Sequence, residues 1–196
     1  MSEKELISSD YVFHVTGNMT TLQQERIKNW QLHPSIRGQF AFELYKAMAD
    51  DERIWCLTAD LGWMMLDKIR DDFPDRFLNV GASEQLLIGA GVGLALSGKI
   101  PFCYSITTFL LFRPAEWIRN YVNHEQIPVR LIGSGINNDY SHDGFTHQPD
   151  ELKDIDNYFD LFRNIETYFP LRKEIVPDSV RSMIENNKPS FMCLRR

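Results

Sequence analysis

The chain has 196 residues, of which 43% are hydrophobic, 12% aromatic and 24% charged, with a formal net charge of −6. That composition excludes a disordered or low-complexity chain, and one domain of this length buries roughly 70% of the surface its unfolded chain exposes. The acidic balance, with no Lys/Arg run, argues against nucleic acid as a partner. The uncharged stretch 85–98, short of the ~20 residues a spanning helix needs and interrupted by glycines, argues against a membrane.

Residues 1–34 are polar and irregular and read as an N-terminal extension, with a short helix expected over 22–32. Residues 35–196 read as one domain without repeat or linker. Ser35 can cap a helix running to Met48, with Phe40, Leu44 and Met48 on one face. Residues 54–58 form a short apolar run expected as a strand, followed by a helix over 66–72 that stops before Pro74. A second strand is expected over 77–80. Ser83 can cap a helix from Glu84 to Leu96 that ends at Gly98. Further strands are expected over 102–106, 129–133, 165–169 and 191–194, and helices over 114–124, 150–162 and 177–186. A long polar loop covers 134–149. Strands alternating with helices predict an α/β fold, a parallel sheet of about six strands with helices on both faces. In such sheets ligands lie beyond the carboxyl ends of the strands.

The start of the chain, Met1 to Glu5, is polar and shows no apolar signal-peptide core. Cys56, Cys103 and Cys193 are far apart, each in an apolar run, which predicts reduced, buried thiols and a cytoplasmic location. The glycines at 89, 91 and 93 are not a dinucleotide fingerprint. They lie inside the helix that begins at Glu84, whereas the fingerprint belongs in the turn after a strand; close packing of that helix on the sheet explains them.

The candidate chemistry lies at the strand ends. Glu84, in the first turn of its helix, is either a carboxylate set against the helix dipole or one aimed at a cofactor nitrogen. Phe109 and Phe112 are either core residues or a stacking wall for a flat heterocycle. The segment from Ser141 to Gln148 crowds His142, Asp143 and His147 into a loop of a length that is often functional. A metal site there lacks a clear fourth ligand.

Taken in order, Thr58-Ala59-Asp60-Leu61-Gly62, Phe73-Pro74-Asp75-Arg76-Phe77-Leu78-Asn79-Val80-Gly81, Glu84-Gln85, Gly93-Leu94-Ala95, Thr108-Phe109 and Asp143-Gly144-Phe145-Thr146-His147-Gln148 resemble the middle domain of transketolase, which holds the aminopyrimidine ring of thiamine diphosphate. The resemblance runs from about Ile36 to Arg196. It implies that Glu84 is the catalytic glutamate that hydrogen-bonds the pyrimidine nitrogen, in a reaction passing a two-carbon ketol unit from a ketose to an aldose. Phe109 and Phe112 match the aromatic wall, and Asp60 a position near the thiazolium side. Asp143 and His147 match contacts to the donor sugar, and Arg37 and Arg196 the arginines that hold the sugar phosphate. Three positions depart from the family: its third wall aromatic falls on Ala115, a phosphate-holding serine on Met64, and a histidine of the phosphate end on Gly135. These departures point away from a standard sugar phosphate, toward a bulkier, non-phosphorylated or nucleotide-linked sugar.

The Gly-Asp-Gly segment that binds Mg²⁺ and the diphosphate in this family is missing, and the sequence stops where full-length relatives continue into a third domain. The resemblance therefore implies one subunit of a split transketolase in an α2β2 heterotetramer. The metal would be held by the partner and none by this chain. The β-subunit of a 2-oxo acid dehydrogenase, a deoxyxylulose-phosphate synthase-like enzyme and a non-catalytic regulatory homologue are the alternatives. The Asp143–Gln148 motif favours transketolase over the first two, and an intact Glu84 argues against the third.

Overall fold

The computed structural model describes residues 20–31, 33–148 and 152–195. All six expected strands are present: β1 (Ile54–Thr58), β2 (Phe77–Asn79), β3 (Ile100–Ile106), β4 (Arg130–Ser134), β5 (Glu166–Tyr168) and β6 (Ser190–Leu194). Every pairing is parallel, in the order β2-β1-β3-β4-β6-β5. The central strands β3, β4 and β6 are buried along nearly their whole length. That is why they read as unbroken apolar runs rather than as alternating patterns.

Helices cover both faces. On one side α2 (Ile36–Asp50), α3 (Asp67–Asp72) and α8 (Val176–Glu185) close a core around Phe40, Leu44, Met48, Ile69 and Met183. Ser35 caps α2 as expected, its hydroxyl accepting from the Gly38 N–H at 3.1 Å. On the other side α4 (Glu84–Leu96), α5 (Thr107–Phe112), α6 (Ala115–Trp117) and α7 (Leu152–Leu161) bury Leu87, Leu110, Ile155 and Phe159 against the sheet.

Several local expectations are corrected. Ser83 occupies the N-cap position of α4 but makes no side-chain capping bond. The helix expected over 114–124 is a short α6 that continues as π-helix over Ile118–His124. The 134–149 loop carries two 3₁₀ turns, Asn137–Asp143 and Phe145–His147. The helix expected over 22–32 is α1 (Thr21–Lys28), closed at its start by a Thr20–Gln23 capping box. Among the α4 glycines only Gly91 is required by packing, since a Cβ there would come within 2.6 Å of Cys103 Sγ. A Cβ at Gly89 would make ordinary contact with Trp117, and one at Gly93 would meet open space.

No helix among the described residues is long and apolar enough to cross a membrane. The three cysteines are buried and free. Burial pushes the Cys56 thiol up to about 12 and raises Cys103 further still. The thiolate is the reactive form, so Ellman's reagent is expected to modify none of them in the native protein within minutes and all three after denaturation. Fast native labelling would contradict the burial.

Candidate active site

β1 and β3 lie side by side, but the connections leaving them run in opposite directions, to β2 at one edge and to β4 on the other side. This reversal opens a crevice at the carboxyl ends, the usual ligand position in such sheets. Thr58 and Asp60 border it from β1, Ile106 and α5 from β3, and Ser134 and Gly135 from β4.

On the α4 side, Glu84 begins its helix and is 3% exposed. Ser105 Oγ, itself buried, donates to Oε1 at 3.2 Å. Arg113 Nη1 donates to Oε2 at 2.8 Å. A helix N-terminus favours the carboxylate, and two donors satisfy what burial would otherwise leave costly. Beside it the Phe109 ring is half-buried. The Arg113 guanidinium lies over this ring at 3.7 Å from the centroid, and the His147 ring meets it edge-on at 4.8 Å. Glu84, Phe109 and His147 are thus gathered from three separate segments. Phe112, on the same helix, is half-exposed and sets its ring edge-on against Tyr158 at 5.6 Å.

On the α2 side a cleft of about 540 Å³ is lined by Arg37, Asp60, Met64, Lys68, Tyr140 and their neighbours. Asp60 has φ 52°, and its backbone N–H donates to Asn79 Oδ1 at 3.0 Å. The same oxygen accepts from Gly81 N–H at 3.0 Å, so one asparagine ties the β1 and β2 loops together. Arg37 Nη1 donates to Tyr140 Oη at 3.3 Å and to Ser134 Oγ at 3.5 Å, while its buried Nε has no partner. Tyr104 packs behind this group, its phenol pushed up to about 12 by burial. The guanidinium therefore lines the cleft with neutral hydroxyls as its partners among the described residues.

Gly135, where the family pattern has histidine, has φ +82°, and a Cβ there would collide with the Tyr140 ring. Tyr140, which the sequence reading did not single out, fills this end of the cleft and bonds Ser134 Oγ at 2.8 Å. Gly135→Ala is expected to cost about 1–3 kcal/mol, from left-handed backbone and overpacking together. Urea unfolding would measure this, and an unchanged midpoint would contradict it. Met64, in place of the family's serine, has φ 63° and is largely exposed on the cleft lining.

Asp143 lies on an exposed turn, 3.4 Å from His142. Since His147 sits on Phe109 instead, the metal set considered from the sequence does not converge. Among the described residues no group of three or more His, Cys, Asp or Glu is placed to hold a metal ion. Arg196 lies outside the described residues; the neighbouring Arg195 approaches Asp139 at 3.8 Å.

A buried carboxylate at a helix start, next to an aromatic face on the ligand edge of a parallel sheet, suits a flat heterocycle with a ring nitrogen. The family comparison agrees. The chain belongs to the family described as transketolase, pyrimidine binding domain, which matches residues 33–196. Among its relatives is a putative transketolase C-terminal section of Methanocaldococcus jannaschii, 37% identical over 112 residues, 57% of this chain and 34% of that protein. Another is a 6-deoxy-6-sulfo-D-fructose transketolase subunit of Clostridium sp. (strain MSTE9), 27% identical over 165 residues, 82% of this chain and 49% of that protein. The chain thus spans half or less of the length of these relatives. A solved split-gene transketolase, an inactive β4 tetramer, superposes with a TM-score of 0.71 at 25% identity, covering 83% of this chain and 51% of that one. Transketolase from Campylobacter jejuni shares the fold with a TM-score of 0.73 at 18% identity, over 88% of this chain and 29% of that one.

Proposed function

We propose that this chain is the pyrimidine-holding subunit of a split, thiamine diphosphate-dependent transketolase. The observation that carries the reading is Glu84, a buried carboxylate at the start of α4, joined through Arg113 to the Phe109 ring at the ligand edge of the sheet. The bound cofactor supplies the nucleophilic carbon needed to cleave a ketose next to its carbonyl and pass two carbons to an aldose. Glu84 hydrogen-bonds the pyrimidine ring nitrogen and exchanges a proton with it, and Phe109 stacks against the ring. Phe112 and Asp60 complete the cofactor surroundings. His147, at the edge of Phe109, and Asp143 contact the hydroxyls of the donor sugar. Arg37 and Arg196 hold its anionic end.

The partner subunit holds Mg²⁺ and the diphosphate, in an α2β2 assembly in the cytoplasm. The relatives named as a transketolase section and a transketolase subunit support this division of labour. The substrate is larger than a small sugar phosphate, and a nucleotide-linked sugar fits the cleft. Its volume of about 540 Å³, the exposed Met64 and Trp63 on its lining, and Tyr140 over Gly135 favour a long, partly apolar substrate. The test is ketol transfer by this chain mixed with its partner, with Glu84 intact and with Glu84→Ala. Equal activity would remove Glu84 from the chemistry, and a clear preference for xylulose 5-phosphate and ribose 5-phosphate would overturn the substrate reading.

A further inference from the structure

We propose that Arg113 is a gate on Glu84, which the cofactor must displace to reach the carboxylate. The inference rests on the cofactor role given to Glu84 and Phe109 above. The Glu84 side chain is 3% exposed and the Arg113 side chain 46%. Of the two groups that bond the carboxylate, Ser105 is buried inside the domain, so the solvent side of Glu84 is the side Arg113 covers. Its guanidinium bonds Oε2 at 2.8 Å and lies 3.7 Å from the centroid of the Phe109 ring. Arg113 therefore uses both groups that would hold a pyrimidine: the carboxylate that meets its nitrogen and the aromatic face that stacks on it. A planar cation is well suited to imitate a flat heterocycle in both respects.

The backbone fixes where this gate hinges. Arg113 follows the last turn of α5, its N–H bonded to the Phe109 carbonyl at 3.2 Å, and its own carbonyl accepts from Gln85 Nε2 at 3.4 Å. The main chain is thereby tied to the first turn of α4, while the long, half-exposed side chain is free to swing toward water. An arginine returned to solvent recovers its hydration, and a pyrimidine nitrogen taking its place would keep the buried carboxylate bonded, so the exchange leaves neither group unpaired.

The experiment is a titration of the co-purified complex of this chain and its partner with thiamine diphosphate and Mg²⁺. Calorimetry gives affinity and stopped-flow tryptophan fluorescence gives association rate. Arg113→Ala is expected to bind about fivefold more tightly and to associate faster. Arg113→Gln, which keeps a hydrogen-bond donor beside the buried carboxylate and so protects the fold, is expected to shift both in the same direction by less. Unchanged or weaker binding in both variants, with normal uptake by the wild type, would overturn the gate alone. A wild-type complex that takes up no thiamine diphosphate would overturn the cofactor reading and the gate with it.

Discussion

Glu84→Ala in the assembled enzyme is expected to lower kcat for ketol transfer by about 10²–10⁴-fold, the range for losing a positioned proton-transfer group. The cost to folding should be small by comparison. Glu84 stands in the first turn of α4, where its loss leaves the helix intact, and its charged partner Arg113 is half-exposed and can return to water. Glu84→Gln keeps shape and hydrogen bonding, so a comparable fall in that variant would assign the effect to proton exchange rather than packing. Unfolding curves that overlay while kcat collapses would support the role. Activity within twofold of wild type in both variants would contradict it.

Arg37→Ala is expected to raise KM for an anionic sugar substrate by about 10–100-fold with kcat little changed, the signature of lost ground-state binding by a charge-assisted hydrogen bond. The reason lies in the partners. Among the described residues Arg37 meets neutral hydroxyls, Tyr140 at 3.3 Å and Ser134 at 3.5 Å, and its buried Nε has no partner. Such a cation at the mouth of a cleft is placed for an anionic ligand. Tyr140→Phe removes one of these neutral acceptors and should change KM far less. A fall in kcat with constant KM in Arg37→Ala would move the residue from substrate binding to the chemical step.

The parallel α/β architecture is legible in the sequence because its strands are buried on both faces, so each appears as a short apolar run between helix signals. Ser35 and the Phe40–Leu44–Met48 stripe mark α2 for the same local reasons. Helix α5 is not legible: Thr-Thr-Phe-Leu-Leu-Phe is made of β-branched, aromatic and aliphatic residues that suit a strand. The helix follows where the chain turns away from β3, with Thr107 Oγ1 donating to the Gly135 carbonyl at 2.6 Å.

Positions in the site follow the same division. Glu84, Phe109 and His147 carry recognisable motifs; Phe109 and His147 meet in space, and Arg113 joins Glu84 to Phe109. The Glu84–Arg113 pair joins residues on different elements, with no spacing rule to announce it. Tyr140 sits in a polar loop, and its one signal is a glycine at 135 where a side chain was expected. The exposed Asp143 turn is positioned by neither core.

Under the proposed function this fold holds half of a cofactor site. The most direct measurement is thiamine diphosphate binding, with Mg²⁺, by this chain alone, by the partner alone and by the two mixed. Saturable binding is expected in the mixture at equal numbers of the two chains, with ketol transfer appearing only there. Full ketol transfer by this chain without a partner would contradict it.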